Sequence, residues 1–353
     1  MSVRSPAFVT LVAALAGSLG LAALAEQPAF SPVPQSRAAA LAAGAAKAPV
    51  EAVTPDAPGG NQPLLTVSAA RGGKTAGGKT PVYQPWMSPE VAEAWNAGYR
   101  GQGTTITVVD DFSSTKVYSG NLGTGTSTLR HGEWIRLEAS MIAPSAAVAS
   151  HDFASGRSVG LSRSGLNAVN LSYGMYARSG YSIGQIAWSA QESSLIGYAT
   201  DGRAVVVKAA GNDAVAVGTA NRAGNTDYLN VALVGAQSAI FVGALDRNGT
   251  VTSPALLASY SNFAGSDPVI QAQFLTVGVR GDLTGLYGTS FAAPVVTGYA
   301  AVLGSKFTTA TPTQITNRLL DTARTDTIGN YSAAVHGRGE ASIARALAPA
   351  SIY

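Results

Sequence analysis

The sequence contains no cysteine and only three histidines, His131, His151 and His336. The lack of cysteine excludes a disulfide framework, a thiolate metal site and a cysteine nucleophile. A three-histidine zinc site would need every histidine of the chain, so zinc chemistry is not expected. Charged residues make up 12% of the 353 residues, whereas a usual soluble domain has roughly a quarter. The surface must therefore be covered largely by Ser, Thr, Asn and Gly.

The excess of basic residues is confined to one part of the chain. The formal net charge is +3, and residues 1–80 hold six of the 23 basic residues but only three of the 20 acidic ones. The remainder of the chain is formally neutral and has no cluster of Lys and Arg of the kind that nucleic-acid-binding proteins use. Nucleic acid is therefore not an expected partner. The apolar fraction of 46% is far too high for a disordered protein.

Residues 1–25 have the features of a signal peptide. Arg4 precedes the apolar stretch FVTLVAALAGSLGLAALA, and the small residues Ala23 and Ala25 fit cleavage after Ala25. An uncleaved membrane anchor is the alternative, since the stretch approaches the length of about 20 residues that spans a bilayer. The Ala-x-Ala ending favours cleavage. We therefore expect an exported protein, either secreted, periplasmic or at the cell surface, with no membrane contact after cleavage.

Residues 26–80 differ in composition from the rest of the chain. They are rich in Ala, Pro and Gly and contain almost no aromatic residues. Such a segment buries too little apolar surface to offset the entropy lost on ordering. The composition indicates a low-complexity leader, which is either a reduced propeptide or a linker.

Residues 81–353 predict one α/β domain with a mostly parallel sheet and helices on both faces. Near-continuously apolar strand segments alternate with helical segments, which is typical of a parallel sheet covered on both sides. The predicted strands are TTITVVDDF, AAVAS (146–150), LNAVNLSYG (166–174), AVVVKAAGN (204–212) and AIFVGAL (239–245). The predicted helices include GYSIGQIAWSAQESSLIGYATD, SFAAPVVTGYAAVLGSKF and TPTQITNRLLDTAR.

Four residues that suit nucleophilic catalysis fall at the ends of these elements. Asp110 ends the strand ITVVD, Asn212 ends AVVVKAAGN, and His131 opens HGEWIRL. Ser290 lies in a glycine turn that runs into an apolar helix, where free backbone N–H groups surround its hydroxyl. A Ser-His-Asp hydrolase with an oxyanion hole needs these four groups: an acid, a base, a nucleophilic hydroxyl and an amide donor.

Each of these residues also has a purely structural explanation. Asp110 and Ser290 are residue types that cap turns and helices, and Asn212 is a type that accepts a left-handed turn. A competing nucleophile is Ser158, because residues 156–160 fit the G-x-S-x-G pattern of α/β-hydrolases. That pattern requires a buried strand before the serine and a helix after it, and both flanks are poor here. The favoured interpretation is that Ser158 lies in a surface loop. His336 is interpreted as a structural residue.

From about residue 81 onward the chain resembles the subtilisin-like serine proteases, or subtilases. GYRGQGTTITVVDD resembles the segment of the family's catalytic Asp, and RHGEWIRLEASMIAPSAAV resembles its histidine segment. LNAVNLSYG is similar to the substrate-lining strand, and AVVVKAAGND is similar to the oxyanion segment. GTSFAAPVVTGYAAVL matches the serine signature closely, and the order Asp, His, Asn, Ser is that of the family. The surroundings depart from the family pattern at Asp111-Phe112 and at Glu133-Trp134.

The resemblance implies a three-layer subtilisin-like fold and an exported serine endopeptidase. It implies that Ser290 is the nucleophile, His131 the base, Asp110 its orienting acid and Asn212 an oxyanion donor. It also implies substrate-binding walls, formed by Ser172, Tyr173 and Gly174 on one side and by Ala209, Ala210 and Gly211 on the other. The small residues of the second wall predict an apolar pocket for the residue on the acyl side of the scissile bond (P1).

The expected partners are polypeptide substrates, and the expected state is a monomer. No cofactor is required, and although the family often carries structural calcium, no dense run of oxygen ligands indicates it here. The altered surroundings of Asp110 and His131 leave an alternative open. In that alternative the chain is a weak or inactive subtilase relative that acts as a binding or scaffold protein. An α/β-hydrolase that uses Ser158 is a more distant alternative.

Overall fold

A computed structural model of the protein describes residues 47–54 and 81–352. The expected signal peptide and most of the leader lie outside the described residues. In the described part the strands are β1 (Glu51–Val53), β2 (Thr105–Asp110), β3 (Tyr118–Gly120), β4 (Ser127–Leu129), β5 (Ala147–Asp152), β6 (Asn167–Leu171), β7 (Gly174–Arg178), β8 (Val205–Ala209), β9 (Asn225–Asp227), β10 (Ala239–Leu245) and β11 (Phe274–Gly278). The helices are α1 (Pro89–Asn96), α2 (His131–Ile142), α3 (Ala190–Thr200), α4 (Tyr228–Leu233), α5 (Pro268–Gln273), α6 (Gly281–Thr284), α7 (Ala293–Lys306), α8 (Pro312–Asp321), α9 (Ala333–His336) and α10 (Ile343–Leu347).

The main sheet has six strands in the order β11-β10-β8-β6-β2-β5, and every neighbouring pair is parallel. Successive side chains of a strand point to opposite faces, and every strand of this sheet except the edge strand β5 is buried on both faces. In β8, Val205 and Val207 pack into the cluster that contains α2 and α7, whereas Val206 packs into the cluster of α3 and α4. The prediction of a parallel sheet with helices on both faces is confirmed.

Helix α7 runs through the larger of these two clusters. All its residues from Ala293 to Ser305 are buried, as expected for a helix that is apolar all round. A 3₁₀ turn at Thr289–Phe291 leads directly into α7. Ser290 is therefore attached to the most deeply buried helix in the described part of the chain.

The boundaries of several elements differ from the sequence-based prediction. The segment predicted as one strand over 166–174 forms β6 and then, after a break at Ser172 and Tyr173, a second strand β7 that pairs outside the main sheet. The segment predicted to be helical from residue 180 to residue 201 forms an α-helix only at α3, preceded by a short 3₁₀ helix at Ile183–Gln185. The edge strand β11 was not predicted. The ten residues before α3 contain Gly180 and Gly184, and glycine is a poor helix former.

None of the helices in the described ranges is both long and apolar enough to cross a membrane.

Candidate active site

Asp110 and His131 meet at the carboxyl end of β2. Asp110 is the last residue of β2 and His131 is the first residue of α2. The Nδ1 atom of His131 lies 2.6 Å from Oδ1 of Asp110, and both side chains are buried. The Asp111 N–H also donates to Oδ1 (2.7 Å). A carboxylate at Nδ1 favours the tautomer with the proton on Nδ1, which leaves Nε2 free to accept a proton.

The N-terminus of α2 fixes the position of the imidazole. The backbone N–H of Arg130 donates to Oε2 of Glu133 (2.9 Å), so the Glu133 side chain caps the backbone N–H group that precedes His131. Glu133 therefore serves the first turn of the helix. The imidazole also packs edge-on against Tyr118 and Phe291, with ring centroids 5.6 and 5.7 Å away. Because Phe291 follows Ser290, this contact holds the imidazole against the serine segment.

Ser290 is fixed to the segment that follows β6. Its hydroxyl donates to the carbonyl oxygen of Ser172 (3.2 Å), and the Ser172 hydroxyl donates to the carbonyl oxygen of Ser290 (2.9 Å). Asn170 donates in turn to the Ser172 hydroxyl (2.8 Å). Ser290, at 1% exposed, is buried in this arrangement.

The Asn212 side chain has an acceptor that is fully used and a donor that is not. Its Oδ1 accepts from the N–H (2.8 Å) and the hydroxyl (3.0 Å) of Thr289. Because the amide oxygen must face these donors, the amide nitrogen Nδ2 points away from them. Nδ2 is buried, and no atom of the described residues accepts a hydrogen bond from it. The structure thus holds an unused amide donor beside the residue that precedes Ser290.

Two residues that the sequence analysis missed, Thr289 and Asn262, hold the loop of Asn212 in place. The Thr289 hydroxyl accepts from the Gly211 N–H (3.0 Å) and so connects Gly211 with Asn212. Oδ1 of Asn262 accepts from the N–H of Asp213 (2.9 Å). Gly211 has φ +115°, and a Cβ there would lie 2.3 Å from Nδ2 of Asn262, so the position requires glycine. Thr289 stands in the serine signature, but nothing in the local sequence marks Asn262.

The first predicted substrate wall, Ser172–Gly174, contributes mainly backbone. The Tyr173 side chain is only 1% exposed, and its hydroxyl donates to Oε1 of the buried Glu192 (3.1 Å). Its ring therefore lies inside the protein and does not face the cleft. Ser172 and Gly174 flank it at the break between β6 and β7.

The second predicted wall, Ala209–Gly211, lies beside the first. The parallel pairing of β6 with β8 ends at Leu171 and Lys208, so the two walls continue from neighbouring strands. Asn230 and Asn262 both donate to the carbonyl oxygen of Ala210 (3.0 Å each). The second wall is therefore held from behind by side-chain amides.

A segment of the leader covers one edge of β7. β1 pairs with β7 in antiparallel orientation, with Val53 opposite Gly174 and Glu51 opposite Tyr176. β9 pairs with the other edge of β7. From Gly174 onward this edge of β7 is therefore occupied by the chain itself.

The other sequence candidates lie outside this group. Ser158 sits in an irregular exposed segment with its hydroxyl 3.4 Å from the Ala190 carbonyl oxygen, which is not the strand–turn–helix geometry that a nucleophile elbow needs. The buried imidazole of His336 accepts at Nδ1 from the Ser332 N–H (3.2 Å), and burial lowers its pKa. His151 bonds through Nε2 to the Ser155 hydroxyl (2.8 Å). The part of the chain that the structure describes has no group of three or more His, Asp or Glu side chains arranged to hold a metal.

Comparison with solved structures returns proteases at low identity. MycP1 of the ESX-1 type VII secretion system is 20% identical, with a TM-score of 0.46 over 73% of this chain and 83% of MycP1. The psychrophilic protease S41 is 20% identical, with a TM-score of 0.45 over 72% of this chain and 97% of the protease. A protease of Pseudoalteromonas arctica is 19% identical, with a TM-score of 0.45 over 74% and 94%. No curated protein sequence matches the chain.

Comparison with protein-family models is more specific. The subtilase family model matches residues 113–340. This range includes His131, Asn212 and Ser290, and it begins just after Asp110. The match covers more than half of the sequence, and the fold is the α/β fold that the sequence predicts. The chain belongs to the subtilase family and contains a protease domain of that family.

Proposed function

We propose that the protein is an exported serine endopeptidase that cleaves polypeptides through an acyl-enzyme. The observation that carries the proposal is the buried, unpartnered Nδ2 of Asn212 beside the Ser290 turn. A buried donor left without a partner costs about 1–3 kcal/mol. That cost is recovered in catalysis, because the negatively charged oxygen of a tetrahedral intermediate can accept from Nδ2. The backbone N–H of Ser290 would supply the second donor.

The proton transfers follow from the Asp110–His131 pair. Rotation of the Ser290 hydroxyl away from the Ser172 carbonyl directs it to Nε2 of His131. Oγ then bonds to the substrate carbonyl carbon while its proton passes to Nε2. His131 returns this proton to the departing amine as the peptide bond breaks, and Asp110 stabilises the imidazolium meanwhile. A water molecule then attacks the acyl carbon while its proton passes to His131, and His131 returns this proton to Oγ of Ser290 as the ester bond breaks and the carboxylic acid leaves.

A second candidate is an inactive subtilase relative that binds peptides without cleaving them. The orientation of the Ser290 hydroxyl toward Ser172 favours this candidate, as does the covered edge of β7. However, catalytic hydrogen bonds are often long or misaligned in the absence of substrate. We therefore favour the active enzyme, working as a monomer on polypeptides.

Fluorophosphonate labelling followed by peptide mapping separates the candidates. We expect an adduct on Ser290 that is lost in Ser290→Ala and in His131→Ala, with hydrolysis of peptide substrates. Ser158→Ala is the matched control and should label normally. A folded chain that gives no adduct supports the binding protein, and an adduct on Ser158 would overturn the proposed site.

The proposed export rests on residues 1–25 of the sequence and is tested separately. The full gene is expressed in a bacterial host, and the mature product is analysed by intact mass and N-terminal sequencing. Cleavage after Ala25, with the product outside the cytoplasm, is expected. A product that retains residue 1 and stays in the cytoplasm contradicts it.

A further inference from the structure

The space beside Gly174 is already filled by other side chains. A Cβ atom at Gly174 would lie 2.6 Å from Cε2 of Tyr176 and 2.7 Å from Oδ2 of Asp227. Tyr176 stands two residues further along β7, and alternate residues of a strand share a face. The Tyr176 ring therefore lies over the Cα of Gly174, at the end of the first substrate wall.

Tyr176 also reaches the segment that follows the second wall. Its hydroxyl donates to Oδ2 of Asp213 (3.4 Å), the residue that follows Asn212. Nδ2 of Asn221 donates to the other carboxylate oxygen of Asp213 (3.3 Å). Burial, with the nearby carboxylates of Asp227 and Asp213, raises the pKa of Tyr176. The hydroxyl thus stays protonated and keeps its donor role, and the ring bridges the segment after β6 and the segment after β8.

The charges next to Gly174 neutralise each other. Nζ of Lys208 lies 2.9 Å from Oδ2 of Asp227, and both side chains are buried, at 2% and 6% exposed. Lys208 also donates to the Ala209 carbonyl oxygen (2.7 Å), and Oδ1 of Asp227 accepts from the Met175 N–H (2.9 Å). Neither charge is left over to bind a charged side chain of a substrate.

The proposed acyl-enzyme places the P1 side chain in the same region. Its carbonyl carbon is bonded to Oγ of Ser290 and its carbonyl oxygen faces Asn212, while its backbone runs beside Ser172. The P1 side chain then has to enter between the two walls. There it meets the Tyr176 ring and the Asp213 carboxylate.

We propose that Tyr176 and Asp213 close the space between the two walls and restrict P1 to a small residue such as alanine or serine. This inference rests on the proposed function and specifies its substrate class. It also revises the apolar P1 pocket that the small residues Ala209–Gly211 predict. An aromatic P1 side chain would have to displace the Tyr176 ring and break its bond to Asp213. Contacts of this kind in a substrate pocket change the relative reaction rates of two substrates by about 10- to 200-fold.

The test measures the rate at which the full-length chain reacts with three peptidyl phosphonates that differ only at P1. The P1 residues correspond to alanine, phenylalanine and lysine, and a simple fluorophosphonate is run in parallel. We expect the alanine probe to label Ser290 at least about 10-fold faster than the other two. Tyr176→Ala should raise the relative rate of the phenylalanine probe by at least about 10-fold.

Two further variants isolate the effect of the ring. Tyr176→Phe retains the ring and should retain the preference for alanine. Tyr331→Ala is the control, because it truncates a tyrosine whose hydroxyl bonds to the Gly337 carbonyl oxygen elsewhere in the fold. It should leave the ratio of rates unchanged.

The outcomes separate this inference from the proposed function. A parent chain that prefers phenylalanine or lysine overturns the inference even if Tyr176→Ala fails to fold. A folded Tyr176→Ala that keeps the parent ratio also overturns it. In both cases fluorophosphonate labelling of Ser290 would leave the proposed function intact. A chain that reacts with no probe, the simple fluorophosphonate included, contradicts both.

Discussion

Thr289 controls the orientation of the proposed oxyanion donor without touching the substrate. Thr289→Val removes the hydroxyl that donates to Asn212 and accepts from Gly211, but keeps the volume of the side chain. We expect kcat to fall about 10-fold with little change in KM, whereas Asn212→Ala, which removes the donor itself, should lower kcat by about 100- to 1,000-fold. Steady-state kinetics on one peptide substrate measure both effects.

Thr289→Ser retains the hydroxyl and should restore most of the rate. In an Asn212→Ala background, Thr289→Val should have little further effect, because the two residues act through one hydrogen bond. Fully additive losses would contradict the positioning role.

Glu138 in α2 is a buried carboxyl group that the proposed mechanism does not use. Its side chain is 4% exposed, its Oε2 has no partner among the described residues, and burial raises its pKa well above the usual value. The folded protein therefore holds a proton that the unfolded chain releases near its ordinary pKa, so stability falls as pH rises above that value.

Glu138→Gln removes this titration. The variant should match the parent near pH 4 and be more stable at pH 8 by at least about 1 kcal/mol, or roughly 2–4 °C in Tm. Thermal unfolding at the two pH values measures the difference. Glu93→Gln, at an exposed position of α1, is the control and should show no such difference. The prediction would be contradicted if the parent were more stable than Glu138→Gln and this difference in stability increased with pH.

At the scale of secondary-structure elements, the packing of α7 on α2 depends on Gly298. A Cβ there would lie 2.4 Å from Cγ2 of Ile142. Gly298→Ala should therefore destabilise the protein by about 1–3 kcal/mol through overpacking, although alanine is the better helix former. Gly197→Ala in α3 is the matched control, since nothing lies within 4 Å of the added Cβ. It should stabilise by up to about 1 kcal/mol.

Denaturant unfolding distinguishes the two glycine variants by the sign of the change in midpoint. If both variants shift the midpoint upward, helix propensity dominates and the close contact between α7 and α2 does not constrain position 298.

Strand β1 covers the part of β7 next to the proposed substrate wall. It is anchored by Ala48, which is 6% exposed, donates to the Gln185 carbonyl oxygen (2.6 Å) and accepts from the Ala187 N–H (3.0 Å). Ala48→Asp places a charge in this contact and should release β1. We expect kcat/KM for extended peptides to rise several-fold, because an extended peptide can then pair with β7.

Lys47→Asp changes an exposed neighbour and should leave kcat/KM unchanged. A small ester substrate, which does not reach β7, should respond to neither variant. An increase specific to Ala48→Asp favours the propeptide interpretation of the leader, and its absence favours the linker.

At the scale of the whole molecule, Arg324 connects α1 with the C-terminal part of the domain. It bonds to Glu90 at the start of α1 (2.9 Å) and to the buried Glu340 (3.0 Å). Arg324→Met leaves Glu340 without its cation and should cost about 3–5 kcal/mol at neutral pH. The loss should shrink as pH falls, since burial already raises the pKa of Glu340 and Arg324 opposes that rise.

Arg345→Met is the surface counterpart. The Arg345–Asp326 pair is about half exposed on both sides with a 3.4 Å separation, so its removal should cost no more than about 1 kcal/mol. Equal losses for the two variants would show that burial of Glu340 does not set the cost.

The sequence by itself determined the fold class and the chain order of the candidate site. Strands that are apolar on nearly every residue are typical of a sheet covered on both faces, so β10 was predicted with its observed bounds, β2 to within two residues and β8 to within three. A carboxylate or an amide at the end of such a segment lies at the carboxyl edge of the sheet. For this reason Asp110 and Asn212 were identifiable without coordinates.

Only the tertiary structure decided which groups meet and which side chains face the cleft. The sequence around Tyr173 and Tyr176 does not reveal that the Tyr173 side chain is buried against Glu192, whereas the Tyr176 side chain extends to Asp213. Asn262 and Thr289 hold the Asn212 loop through contacts between distant parts of the chain, and β1 reaches β7 across more than a hundred residues. Such contacts depend on how the elements pack in three dimensions, and local propensity carries no information about them.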